Sequence, residues 1–385
     1  MQTRFIILLP VILYLFNSCK KDIASPIGNN AAPANFTQVF DAFWNGMNTN
    51  YVYWDIDTTN WDAMYSRYRP VFAQLDLQNK KDVQNSVGYF RQMTDGLIDS
   101  HYFINFTPPI IVDSFVYPAA DRKFKNTHFH SPFIYMSIDS NYFDKGYVSG
   151  SYITTANQRV TATYATINNN ILYFECSQFA LQEAFTSNTN NGVKMVLQHF
   201  FDELQNLPPN IKGLFIDVRN NPGGNLADLD FLVGKLTDHT LHFGYTRYKS
   251  GNGRLDFTPW VDADINPQPN SKEITIPIIV LADNYSISLA EAVTMAIHTL
   301  PNSTFVGETT WGATGPITDN VVYNDGQFTV TNFLSVYTSS AAFKYIDGKI
   351  YEGKGFPPDI PVAFNTTALI GGTDPCLERA ISLIK

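Results

Sequence analysis

The stretch at residues 278–291, Ile-Ile-Val-Leu-Ala-Asp-Asn-Tyr-Ser-Ile-Ser-Leu-Ala-Glu, constrains this chain more than any other. Four consecutive aliphatic residues ending at Leu281 predict a strand buried on both faces, the type found in a sheet sandwiched between helices. Asp283-Asn284 break it. Ser288 then opens a segment, residues 289–298, whose Ala290, Val293, Met295, Ala296 and Ile297 suit a packed helix. A serine at a strand-to-helix turn lies where the positive end of the helix dipole and unbonded N–H groups face outward. Two roles are open to Ser288: nucleophile, or helix cap, with Glu291 completing a Ser-x-x-Glu capping box.

The surrounding sequence predicts α/β layering. Strands are expected at residues 171–176, 213–218 and 304–306, with helices at 193–207 and 226–236. Shorter strands at 321–323, 327–331 and 334–337 follow, the first two separated by the hairpin signature Asn324-Asp325-Gly326. Asp374-Pro375 predicts the start of a last helix over 376–384. Ahead of this core, Phe36, Phe40, Phe43, Trp44, Met47 and Tyr51 recur at helical spacing, and two further helices are expected over 61–75 and 81–97. These imply an N-terminal helical bundle over residues 35–105. Residues 106–165, punctuated by Pro108, Pro109 and Pro118, read as a small β-rich insert, and 166–385 as the α/β core. His128 and His130 stand two apart without a third ligand at suitable spacing and are read as surface residues, so no metal is expected.

The first residues carry an address. Arg4, the apolar run at 5–16 and Asn17-Ser18-Cys19 have the three regions of an export signal. Residues 15–19 resemble a bacterial lipobox, which implies that residues 1–18 are removed and Cys19 is lipidated. Residues 19–34 would then tether the protein to a membrane of the cell envelope, on its periplasmic or surface face. Of the remaining cysteines, Cys176 and Cys376 are read as buried residues. A net charge of −9 without a basic run argues against a nucleic-acid partner.

Residues 216–225, Ile-Asp-Val-Arg-Asn-Asn-Pro-Gly-Gly-Asn, follow a buried strand, and paired glycines there leave backbone N–H groups uncovered, suited to an oxyanion. No phosphate-binding or dinucleotide-binding glycine pattern occurs, so no cofactor is expected. Asp217-x-Arg219-x-Asn221-x-Gly223-Gly224, Ser288-Leu289-Ala290-Glu291, Val306-Gly307-Glu308-Thr309-x-x-Gly312 and Gly353-x-Gly355-x-x-Pro358-Asp359 together resemble the ordered blocks of the C-terminal processing peptidases. That serine peptidase family includes the tricorn core and the retinoid-binding repeats of the eye. The resemblance implies a ClpP/crotonase-like core and Ser288 as nucleophile. The processing branch places a lysine where this chain has Ala313. Ser100-His101 match the serine-histidine pair of the tricorn branch instead, and Glu352 its glutamate.

The chemistry is coherent on its own terms. A serine hydroxyl needs a base to take its proton, and neutral imidazole at His101 suits that. Ser100 and Glu352 would support the ring as a relay. Amides of Gly223 or Gly224 and of Leu289 would hold the oxyanion. His298, about 15 Å along the helix from Ser288, is set aside as a base. No Gly-Leu-Gly-Phe-like loop of a PDZ domain is found, which leaves residues 107–165 to contact substrate. The expected function is a serine-type peptidase acting on peptides or proteins outside the cytoplasm. The alternative is a non-catalytic lipoprotein that uses the same fold to bind peptides or other ligands.

Overall fold

A computed structural model describes residues 31–126, 129–318 and 326–385. The signal segment, Cys19, His128 and the expected strand at 321–323 lie outside the described residues. The central sheet has seven strands in the order Ile360–Pro361, Ser303–Gly307, Ile278–Ala282, Gly213–Asp217, Ile171–Cys176, Arg159–Ile167, Val148–Ile153. The first five run parallel; the last two join antiparallel. Every residue of Gly213–Asp217 and Ile278–Ala282 is buried, as the unbroken aliphatic runs require for strands covered on both faces.

One face is covered by the helices Leu181–Thr186, Gly192–Gln205, Ala227–Val233 and Leu289–His298, which bury Val196, Phe200, Leu232, Val293 and Ile297 against Phe174, Ile216 and Val280. The other face is covered by Pro375–Ile381, whose Cys376, Leu377 and Ala380 meet Tyr173, Phe215 and Ile279. Cys176 and Cys376 are both buried free thiols.

The N-terminal helices Phe36–Asn50, Trp61–Phe72 and Lys80–Thr94 are present, with the aromatic stripe Phe36, Phe40, Phe43, Met47 and Tyr51 fully buried. They are not a self-contained bundle over 35–105. Their core includes Phe328, Val330, Phe333, Leu334 and Val336 from late in the chain, and Phe103–Phe106 pairs with Leu334–Tyr337 in a four-stranded sheet. The apolar stripes of three short helices need a further covering layer, and this sheet supplies it. Gln327–Val330 and Leu334–Tyr337 form an antiparallel pair, joined through Asn332 in the left-handed region at φ 59°.

The insert also departs from expectation. The described residues of 107–143 hold a two-residue strand, Phe115–Val116, and short helical turns at Pro118–Lys123, Met136–Asp139 and Ser140–Tyr142, so among them this segment is not β-rich. The strands that follow, Val148–Ile153 and Arg159–Ile167, belong to the central sheet, so the core begins nearer 148 than 166. The segment is held by long-range contacts. Asp139 meets Arg219 at 2.7 Å, Tyr135 donates to Asp283 at 2.9 Å, and Lys123 donates to the Trp311 carbonyl. His130 is no loose surface residue: it bonds Glu308 at 2.8 Å and stacks on Phe364 with centroids 3.6 Å apart.

Candidate active site

Ser288 stands between the buried strand Ile278–Ala282 and the helix Leu289–His298, at φ 58° and ψ −115°. A residue with a Cβ adopts such angles only where its surroundings enforce them, at a cost of about 1–3 kcal/mol. The enforcing contacts are on both sides. The Ser286 hydroxyl donates to the Val218 carbonyl at 2.7 Å and accepts the Asp283 N–H at 2.9 Å. Asp283 accepts the Asn220 and Tyr285 amides, each at 2.9 Å, and the Ile287 amide donates to the Asn221 carbonyl at 3.0 Å. The Ser288 turn is therefore bolted to the loop at 218–224.

The expected Ser-x-x-Glu capping box between Ser288 and Glu291 is present. The Glu291 amide faces the Ser288 side chain in that box, but its well-formed hydrogen bond goes to the Ser288 carbonyl at 3.0 Å. Glu291 does reach back, accepting the Ser288 N–H at 3.1 Å. The hydroxyl thus sits at the helix start without a strong hydrogen bond of its own.

Gly223 lies against this turn. A Cβ on it would stand 2.8 Å from the Leu289 nitrogen, 2.8 Å from the Ile287 carbonyl oxygen and 2.9 Å from the Ser288 Cβ. Gly223 is at φ 96° and Gly224 at φ 147°. The Gly223 amide is already committed to the Asn221 side chain at 2.9 Å, which removes it from the expected oxyanion donors. Among the described residues the Gly224 and Leu289 amides have no acceptor, so those two remain available.

His101 follows the Lys80–Thr94 helix and is separated by Tyr102 from the strand Phe103–Phe106. Its amide donates to Asp99 Oδ1 at 2.8 Å, and its Nδ1 lies 3.4 Å from Ser339 Oγ. The residue is partly exposed, and the burial it has lowers its pKa to about 4, so the ring is neutral at physiological pH. The Ser100 hydroxyl is buried without a hydrogen-bond partner, so the expected relay through it is not formed. Ser100 contributes its backbone: its N–H reaches Glu352 Oε1 at 2.7 Å, and its carbonyl accepts the Tyr117 hydroxyl at 2.9 Å.

Two buried carboxylates tie Ser288 to His101 through the loop at 312–315. Glu291, besides holding the Ser288 amide, accepts the Gly312 and Ala313 amides at 2.6 and 2.7 Å. Glu352 accepts the next two, Thr314 and Gly315, each at 2.8 Å, together with the Tyr53 hydroxyl at 3.1 Å and Ser100 beside His101. Ala313 therefore acts through its backbone, at the midpoint between the two halves of the site. Burial, and then Asp99, push Glu352 up to about 8 against the pull of these donors. The Ser288 hydroxyl and the His101 ring share no hydrogen bond here; such contacts commonly tighten only when substrate binds. Tyr117, Phe129, Tyr285, Ile287 and Trp311 cluster around Ala313 and form an apolar wall beside the serine.

Asp99, His101 and Glu352 each offer a ligand atom within 4.8 Å of the others. Their carboxylate oxygens are occupied by N–H and O–H donors, which suits a hydrogen-bonded network better than a cation. Asp99 and Ser339 are the site residues that sequence reasoning missed. An aspartate two residues before His101, placed to accept its amide, was the readable signal. His298 is engaged elsewhere, with Tyr345 and Asp359.

Residues 170–362 match the model of Peptidase family S41. The chain belongs to peptidase family S41. Residues 32–82 also match the Tricorn protease C1 domain. The carboxy-terminal processing protease CtpA of Bacillus subtilis is 26% identical over 149 residues, which is 39% of this chain and 28% of that protein's length. Among solved structures, a candidate peptidase of Parabacteroides merdae superposes with a TM-score of 0.68 at 23% identity, over 91% of this chain and 97% of the other. The tricorn protease superposes at 0.50 and 16% identity, over 91% of this chain and 36% of its own. These superpositions agree with the α/β core and helical N-terminal region of the S41 fold.

Proposed function

We propose that this S41 member is a serine-type peptidase that cleaves peptides or proteins through an acyl-enzyme on Ser288, with His101 as general base, after the manner of the tricorn branch. The carrying observation is the enforced backbone of Ser288, which holds its hydroxyl at the helix start next to the open Leu289 amide, with the Gly223–Gly224 turn packed against it. In the proposed reaction the neutral imidazole takes the serine proton as Oγ bonds the scissile carbonyl carbon. The Leu289 and Gly224 amides hold the oxyanion. The imidazolium then gives that proton to the leaving amine, and water repeats the sequence to release the acid. Glu352 and Glu291 keep the two halves of the site in register through the loop at 312–315. We further propose that the protein works outside the cytoplasm, anchored by lipid on Cys19.

A fluorophosphonate probe tests the assignment without a known substrate. Covalent labelling is expected for the wild type and not for Ser288→Ala, with His101→Ala slowed by on the order of 10²-fold or more. Folded wild-type protein that takes no label at neutral pH would sink the catalytic reading. Ala313, standing where the processing branch has its lysine, would then favour the binding protein instead. Metabolic labelling with a palmitate analogue, lost on Cys19→Ala, tests the anchor.

A further inference from the structure

We propose that Ser339 and Asp99 are positioning residues for His101, fixing its ring in the tautomer with hydrogen on Nδ1 and leaving Nε2 bare to accept the serine proton. This rests on His101 as the base and adds what holds it. The direction of the hydrogen bonds follows from the geometry. Ser339 Oγ donates its hydrogen to Asp99 Oδ1 at 2.9 Å, so toward the ring, 3.4 Å away, it presents only lone pairs. A ring nitrogen facing a lone pair carries the hydrogen. Asp99 Oδ2 takes the Ser339 amide at 2.7 Å, and Oδ1 also takes the His101 amide at 2.8 Å. One carboxylate therefore orients both the backbone of the base and the hydroxyl that reads its tautomer.

Among the described residues no other side chain does this. The Ser100 hydroxyl has no partner, and Glu352 is filled by Ser100, Thr314, Gly315 and Tyr53. Asp99 and Ser339 are both fully buried, so water does not substitute for them. The groups around Asp99 are Tyr51, whose hydroxyl accepts the Asp99 amide at 3.3 Å, the carboxylates of Asp57 and Glu352, and the phenols of Tyr53 and Tyr102. No cation stands among them, so the imidazolium formed during the reaction would be the positive partner of Asp99, with Ser339 between.

The test is nitrogen-15 spectroscopy of histidine-labelled protein, with the His101 signal assigned by its loss in His101→Gln. At neutral pH the wild type is expected to show a protonated Nδ1 and a bare Nε2. Ser339→Ala should lose that preference, and its phosphonate labelling should fall on the order of 10²-fold, part of what a positioned base contributes. Ser339→Thr, which keeps the hydroxyl, should restore the tautomer. A wild-type ring protonated on Nε2 overturns the proposal, as does a folded Ser339→Ala with an unchanged tautomer. The wild-type spectrum decides alone if the alanine variant does not fold. It needs no turnover, so the expected tautomer in a protein that takes no phosphonate would sink the peptidase reading and leave only the tautomer assignment standing.

Discussion

Placing a methyl group on Gly223 should disable the site through geometry alone. In Gly223→Ala the new Cβ would lie 2.8 Å from the Leu289 nitrogen and the Ile287 oxygen and 2.9 Å from the Ser288 Cβ. Relief to ordinary contact near 3.4 Å requires those atoms to retreat by about half an ångström. Oxyanion donors work at about 2.7–3.1 Å, so a shift of that size is comparable to losing one, at roughly 3 kcal/mol or 10²–10³-fold in rate. Overpacking adds about 1–3 kcal/mol of instability, and alanine at φ 96° adds backbone strain. Gly146 supplies the control, having φ 95° and nothing within 4 Å of where its methyl would stand. Gly146→Ala should therefore carry the same backbone strain and nothing more. The assay is the phosphonate labelling rate of both variants, with urea midpoints measured alongside. Gly223→Ala labelling within threefold of Gly146→Ala would refute the placement of this glycine beside the reacting atoms.

Because burial holds the His101 pKa near 4, the acid limb of the labelling rate should fall near pH 4 and not near the ordinary 6.5. The same depression makes folding pH-dependent. The unfolded histidine binds its proton first, so the stability is present above pH 6.5 and is lost as pH falls from 6.5 toward 4. Wild type should lose on the order of 2 kcal/mol more than His101→Gln between pH 7 and 4.5 in urea titrations, and equal losses would contradict the depressed pKa of the ring. Arg219 is buried among Asp139, Asp217 and Asp374 at 2.7, 2.5 and 2.6 Å. Arg219→Met should cost about 3–5 kcal/mol by stranding those acids, and an unchanged urea midpoint would show that they are otherwise compensated. Glu352→Gln replaces one acceptor oxygen with an N–H₂ facing the donors of Ser100 or of Thr314 and Gly315. It should slow labelling and lower stability by roughly 2–4 kcal/mol; a variant indistinguishable from wild type would mean that Glu352 does not hold the loop.

What was legible in the sequence was what local pattern controls. Residues 278–298 fold as the aliphatic run and the helical spacing dictate, because both elements are buried by the layers on either side. The aromatic stripe from Phe36 to Tyr51 is likewise core. The site was legible in part: the Ser288 turn was reachable from motifs, and so was the nearness of Ser100 and Glu352 to His101, although the bond is from the Ser100 backbone N–H and not the expected side-chain relay. Residues 107–143 were not, since the side chains that shape them, Asp139, Tyr135 and Lys123, answer to Arg219, Asp283 and Trp311 far along the chain. The same holds for Asp99 and Ser339, which meet across 240 residues. The Gly223 amide was misassigned because its capture by Asn221 is a side-chain event that no backbone pattern signals.

The most direct test of convergence between the early helical region and the late α/β half is a crystal structure of the phosphonate-treated protein. Phosphorus bonded to Ser288 Oγ, its oxygen facing the Leu289 and Gly224 amides and the His101 ring within hydrogen-bond reach, is the predicted result. An adduct on another residue, or one on Ser288 with His101 turned away and no other shift of the loop at 312–315, would contradict it.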